Sequence, residues 1–259
     1  MIAITGATGE IGRRVAAGLD DPILIARRPY GDARIASGYG DFDGMRAAFE
    51  GVETAFLIPA GESADRVQQH KTAVDAAVAA GVARIVYLSF FNAAPDATFT
   101  LARDHWATEE HIRASGVAWT FLRMNFYMDF MPNLAVDGVI RGPGGDGRVS
   151  AILRDDVAAA AVAVLRASRD GETLDLTGPS AFSLAEVADL LGVEYVDETD
   201  EEAFASRASY GAPDWEVAGW VSTYQAIRDG SLAHVSGDVR ELIGREPTSL
   251  QAFLERQAA

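Results

Sequence analysis

The sequence predicts an α/β fold, a doubly wound parallel sheet followed by a smaller lobe, and three observations carry that expectation. Short apolar runs alternate with helical segments over residues 1–180, the spacing of β-α-β crossovers. The first run breaks at a glycine-rich turn, Gly6-Ala7-Thr8-Gly9-Glu10-Ile11-Gly12, that opens a helix. A chain of 259 residues is long enough to bury one large core with a small appended lobe. A core over residues 1–180 is therefore expected, with residues 181–259 folding over the crevice at the carboxyl ends of the strands.

Ile2 to Thr5 is the first strand, and the glycines after it are spaced G-x-x-G-x-x-G. A pyrophosphate can approach the backbone only where no Cβ intervenes, and the first helical turn then offers it free N–H groups. Gly6 is expected to make the tight turn, Gly9 to lie under the phosphates, and Gly12 to let the helix pack on the strand. Thr8, Glu10 and Ile11 complete this dinucleotide loop. The helix ends near Leu19, and Ile23 to Ala26 is the second strand, followed by Arg27-Arg28-Pro29. The end of that strand faces the adenosine ribose, where an acid would accept from the 2′-hydroxyl of NAD and an arginine would accommodate the 2′-phosphate of NADP. No acid stands there, so NADP(H) is the expected cofactor, with Arg27 the better candidate and Arg28 the other.

Ala33 to Tyr39 is expected as the third strand, and Gly44 to Glu50 as a helix before which Asp41 either faces adenine or serves as the N-cap. Thr54 to Ile58 is continuously apolar, a buried parallel strand, and Ile58 and Pro59 end it over the cofactor's path. The helix Ser63 to Ala80, closed by Gly81, carries His70, which either lines the active-site side of the sheet or is satisfied in packing. Arg84 to Ser89 is the next strand, Ala102 to Ser115 a helix, and Trp119 to Met124 a sixth strand. The segment Asn125 to Pro132 is rich in Phe and Met, which is either ordinary core at a strand end or a surface on which a flat aromatic ligand would stack. Arg141 to Gly147 reads as a turn or mobile loop, Asp155-Asp156 as the cap of an alanine-rich helix to Ala167, and Thr173 to Leu176 as a short strand. In the lobe, Leu184 to Leu191 is a helix and Val193 to Val196 a strand. From Glu201 onwards the chain is helical and acidic, with Trp215, Trp220 and Tyr224 as wall or core residues.

Composition removes several functions. There is no cysteine, hence no disulfide framework, thiolate metal site or cysteine nucleophile, and no metal is expected. A formal net charge of −16 would repel both a nucleic-acid backbone and an anionic membrane, so neither is an expected partner. No apolar run approaches the ~20 residues of a membrane span, and the chain enters its first strand with no signal peptide before it, so a cytoplasmic location is expected. A homodimer stays open as an assembly.

Three stretches resemble a known family: I-T-G-A-T-G-E-I-G at residues 4–12, the run from Gln68 to Ser89, and the run from Arg103 to Arg123. Together they are similar to the NmrA-like atypical short-chain dehydrogenase/reductases, in particular to their type 2 NAD(P)H:quinone oxidoreductase group. The resemblance covers most of the chain and is strongest up to Asp156. It implies a Rossmann core, NADPH bound without flavin, and hydride transfer to a small aromatic or quinone-like acceptor. It places the cofactor loop at Gly6 to Ile11, the 2′-phosphate arginine at Arg27 or Arg28, and the substrate segment near Phe126 to Met131, with Asn125 beside the nucleotide. Ser89 stands where short-chain dehydrogenases commonly place an active-site hydroxyl. The segment Ile58-Pro59-Ala60 departs from the family, in which serines are common at these positions.

The usual proton donor of short-chain dehydrogenases is Tyr-x-x-x-Lys, the lysine lowering the phenol pKa. Lys71 is the only lysine, and Val67 stands four residues before it, so that pair does not exist. A quinone does not need such an acid, because its reduced anion is delocalised and weakly basic, and positioning supplies most of the catalysis. His105, Ser89 and Tyr127 are then the candidates for donor or substrate orienter. An alternative of another class is a non-catalytic, NAD(P)-sensing NmrA-like regulatory protein, which the missing pair fits equally.

Overall fold

The computed structural model describes residues 1–258. Its centre is a sheet of seven strands, all parallel, whose order matches the crossovers expected from the alternation of elements. β1 (Ile2–Ile4) lies between β2 (Ile23–Ala26) and β4 (Thr54–Leu57). The two-residue β3 (Arg34–Ile35) makes the edge beyond β2, and β5 (Arg84–Phe90), β6 (Ala118–Met124) and β10 (Glu172–Leu176) continue from β4 on the other side. β5 is buried along its whole length, as an apolar central strand must be when helices cover both faces. β5 and β6 run in register from Arg84↔Ala118 to Phe90↔Met124, so their carboxyl ends open at one level.

Two cores lie on the two faces of this sheet. One packs α2 (Phe42–Ala48) and α3 (Arg66–Ala79) through Met45, Phe49, Val74, Ala77 and Tyr87. The other packs α1 (Glu10–Ala17) and α5 (Arg154–Arg166) through Val15, Leu88, Val157 and Val164, whereas α4 (Thr100–Ala114), which connects β5 to β6, lies beside α3 and puts Ile112 into the first core. The third strand is far shorter than the expected Ala33 to Tyr39, because Ser37 and Asp41 turn the chain into α2 through the bonds Ser37 N to Asp41 Oδ2 (3.1 Å) and Gly44 N to Asp41 Oδ1 (2.9 Å).

Beyond β6 the expected loop forms a 3-10 helix, Met128–Leu134, followed by a hairpin of β7 (Ala135–Val136) and β8 (Val139–Gly142). A short pair joins β9 (Arg148–Val149) to β11 (Phe182–Ser183), and β12 (Glu194–Asp197) lies parallel to β8. α6 (Leu184–Leu191) starts in a full capping box between Ser183 and Glu186, and α7 (Asp200–Ala208) in another between Thr199 and Glu202. α8 (Asp214–Arg228), α9 (Asp238–Ile243) and α10 (Leu250–Ala258) complete the chain.

The run Arg141 to Gly147 is a packing seam. A Cβ on Gly147 would stand 2.5 Å from the Arg228 Cα, one on Gly144 would stand 2.8 Å from Leu184 Cδ1, and one on Gly142 would enter the Tyr224 ring. Glycine is required here so that α8 can lie directly on the backbone. Of the three lobe aromatics, Tyr224 packs on this seam under the Arg207 guanidinium, Trp220 is half-buried edge-on to Tyr210, and Trp215 is 36% exposed.

Candidate active site

A cleft of about 510 Å³ opens at the carboxyl ends of β1, β2 and β4. Gly6, Thr8 and Gly9 form its floor, Arg27 and Ser37 to Tyr39 one rim, and Ile58 to Ser63 its opposite wall. The three glycines of the first loop differ in what the fold asks of them. Gly6 has φ +59°, the left-handed region that favours glycine. Gly12 has no room for a side chain, since a Cβ would stand 2.8 Å from the Ala7 Cα. Gly9 is neither strained nor enclosed: its nearest neighbour would be the Gly6 carbonyl oxygen at 3.3 Å, and it faces the cleft. A site that the fold leaves open, beside the N-terminus of α1, is where a pyrophosphate fits.

Of the remaining loop residues, Glu10 turns outward and accepts from Arg14 Nη1 at 2.6 Å, with Arg13 also paired to it. Ile11 is buried in the core beneath the loop. Arg27 lines the cleft, whereas Arg28 is exposed and outside its lining. Asp41 is the N-cap of α2, and its carboxylate is held below the usual range by the Gly44 N–H and then by Ser37. Nothing in the sequence pattern singled out Ser37, Gly38 and Tyr39. Their small, turn-forming composition was readable, but the shortened third strand that turns them towards the cleft was not.

The wall after β4 is irregular backbone held by side chains. Ile58 N donates to Thr5 Oγ1 (2.9 Å), and the Tyr39 hydroxyl lies on both Thr5 Oγ1 and the Ile58 carbonyl. Ala60 N donates to His70 Nε2 (2.9 Å), and Arg66 Nε donates to the Ala60 carbonyl (3.1 Å). His70 is fully buried with both ring nitrogens bonded, and one of those bonds reaches the cleft wall.

The catalytic candidates do not meet at one opening. Ser89 is fully buried and donates to Glu109 Oε1 (2.6 Å), whose carboxylate also takes Arg123 through both oxygens at 2.9 and 2.6 Å. Its hydroxyl belongs to an internal ion-pair network. His105 is 3% exposed, with Nδ1 2.9 Å from the Tyr87 hydroxyl and Nε2 3.4 Å from Arg66 Nη2. Arginine can only donate, so Nε2 accepts and Nδ1–H donates to Tyr87, and neither nitrogen is open to a substrate. Burial, then Arg66, holds the ring well below its usual pKa. Asn125 is buried too, giving Nδ2 to Ser150 Oγ (2.9 Å) and the Leu232 carbonyl (3.0 Å), bonds that tie β6 to the C-terminal segment. Tyr127 alone of the three is half-buried, with the Arg154 guanidinium 4.1 Å over its ring and its hydroxyl pKa pushed up to about 12 by burial. Beside it Phe90, Phe99 and Phe126 pack with centroids 4.7 to 5.2 Å apart, an aromatic cluster where β5 and β6 end.

The fold and this glycine-floored cleft define a dinucleotide-binding protein of the Rossmann kind. Residues 6–168 match the family described as NAD(P)H-binding, and the chain belongs to it. It is 33% identical over 275 residues to quinone oxidoreductase 2 of Escherichia coli, covering 96% of each chain. It is 34% identical over 271 residues to a (4-alkanoyl-5-oxo-2,5-dihydrofuran-3-yl)methyl phosphate reductase of Streptomyces griseus, covering 95% of this chain and 93% of that one. The crystal structure of the NADPH-dependent quinone oxidoreductase QOR2 of E. coli, complexed with NADPH, superposes with a TM-score of 0.90 at 31% identity over the whole of both chains. The protein is thus an NAD(P)H-dependent oxidoreductase of the NmrA-like kind, as the resemblance implied. Among the described residues no helix is long and apolar enough to cross a membrane.

Proposed function

We propose that the protein passes hydride from NADPH directly to a quinone-like or other flat aromatic acceptor. The nucleotide supplies the hydride when bound, and the chain supplies position and walls. One observation carries the reading: where β5 and β6 end, none of the expected proton donors is both accessible and activated by a neighbouring lysine. Ser89 is committed to Glu109, His105 is enclosed between Tyr87 and Arg66, and the Tyr127 phenol is made less acidic by burial. Lys71, on α3, has no tyrosine four residues before it. A carbonyl becoming an alkoxide needs a proton in the transition state, whereas a reduced quinone spreads its charge and takes the proton later from water. Phe126 and Tyr127, half-buried where β6 ends and backed by the buried rings of Phe90 and Phe99, support a flat acceptor. Among the relatives, one is named for quinones, which agrees with this reading.

Mixing the protein with NADPH and a panel of quinones tests it. Loss of the 340 nm absorbance that depends on both protein and acceptor is expected. NADPH binding with a flat trace for every acceptor would make the protein a nucleotide sensor instead.

A further inference from the structure

The wall that runs from Ile58 to Ala60 makes no sheet or helix bonds, yet its two N–H groups and two of its three carbonyls are all taken by side chains. Pro59, in the middle, has no N–H to give. The Ile58 end is held by Thr5 and Tyr39, which stand close to the loop in the fold. The Ala60 end is held from α3 by two buried residues, His70 and Arg66, one on each side of the same residue.

His70 can do this in one tautomer only. Its Nε2 must accept from the Ala60 N–H, so Nδ1 carries the hydrogen and donates to Thr108 Oγ1 at 2.8 Å. The Thr108 hydroxyl in turn donates to the Asp104 carbonyl at 2.8 Å, which leaves its lone pair facing His70. The ring therefore joins three segments, the cleft wall, α3 and α4, with every hydrogen assigned. A histidine merely satisfied in packing does not require a partner on the wall of a ligand cleft. Arg66 is braced in the same way, with Nη2 3.4 Å from His105 Nε2 and Nη1 3.8 Å from Asp104.

We propose that His70, together with Arg66, is a positioning residue that holds the Ala60 backbone, and with it the Pro59–Gly61 wall, in the shape the nucleotide requires. Fixing an irregular segment before the ligand arrives removes the ordering cost from binding. An imidazolium at this place would point an N–H at the Ala60 N–H and release the wall, and burial with the neighbouring Arg66 cation keeps the ring neutral, its pKa pushed down to about 3. The inference rests on the nucleotide occupying this cleft and not on which acceptor is reduced.

The test is NADPH and NADH binding by titration, together with amide exchange at Ala60 and Gly61 in the nucleotide-free protein, for His70→Ala, His70→Gln and Thr108→Val. Glutamine can accept from Ala60 with its oxygen and donate to Thr108 with its amide. We expect His70→Ala to weaken both nucleotides roughly tenfold, His70→Gln to bind within about threefold of the parent, and Thr108→Val to fall between, with amide exchange faster in the same order. The ratio of NADPH to NADH affinity should not move, because the end of the nucleotide that differs lies at the opposite rim, by Arg27. A folded His70→Ala protein with affinity and exchange within twofold of the parent would overturn the proposal, as would equal losses for His70→Ala and His70→Gln. Should His70→Ala not fold, the other two variants decide: unchanged affinity and exchange in Thr108→Val overturns it, and a weakened Thr108→Val beside a near-normal His70→Gln supports it.

Discussion

His70 and His105 are imidazoles kept neutral by the fold, and each carries a consequence for pH. An unfolded histidine titrates near 6.5, while the His70 value in the folded chain is pushed down to about 3 and that of His105 lies well below 6.5. Between those values the unfolded chain binds more protons than the folded one. Stability is therefore fully present above pH 6.5 and is lost as the pH falls towards the folded values. For His70 alone the loss between pH 7 and pH 5 is about 2 kcal/mol. Thermal or urea unfolding at the two pH values should show it, and His70→Gln should flatten the dependence by that amount; an unchanged slope in that variant would place the acid sensitivity elsewhere. At the other end of the cleft, Arg27→Ala should remove most of a preference for NADPH over NADH while leaving NADH affinity nearly unchanged. Equal affinity of the parent protein for both nucleotides would remove the basis for that assignment.

Among the elements, the first loop separates structural from ligand-facing glycines. Gly12→Ala should cost about 1–3 kcal/mol, since its Cβ would press α1 off the β1 turn, and Gly9→Val should leave the fold intact while abolishing nucleotide binding. Circular dichroism, urea midpoints and NADPH titration on the pair would tell the two roles apart. The turn after β1, the end of β2 and the buried strand β5 were legible in the sequence because local pattern and fold coincide there: turn chemistry, a strand end and a continuous apolar run. The N-cap role of Asp41 was one of two the sequence offered, whereas the places of Ser89 and His105 were not legible, because their residue types suit a catalytic group and a satisfied internal one equally. What decides is the partner, and the Glu109 carboxylate and the Tyr87 hydroxyl become neighbours of Ser89 and His105 only through tertiary packing. The run Arg141 to Gly147 shows the same limit, since its glycines read as freedom from local sequence, whereas α8 and Tyr224 make them a requirement of close contact.

At the scale of the molecule, residues beyond 180 do not pack as a body apart. Leu184 and Val187 of α6, Leu232, Val239 of α9 and Phe253 of α10 share one buried cluster with Leu88 of β5 and Val157 of α5, whereas α7 and α8 add a small cluster of their own through Ala203, Val217 and Val221. Asp156, at the start of α5 and fully buried, accepts from the Thr248 N–H and from Arg245, each at 2.6 Å. A chain cut after residue 180 should consequently fail to fold, with no protease-resistant core and no NADPH binding, and the full chain should unfold in one transition by fluorescence and circular dichroism alike. A stable, nucleotide-binding fragment of residues 1–180 would show that the core closes without the rest. The Asp156 to Thr248 bond also bears on how the protein is born. Its partners stand 92 residues apart, and at translation rates of about 5–20 residues per second the ribosome needs about 5 to 18 seconds to bring the second out after the first. For that interval the nascent chain holds a carboxylate and an apolar helix face that are meant for an interior not yet synthesised, and it is in those seconds, rather than in the finished protein, that chaperones would find it.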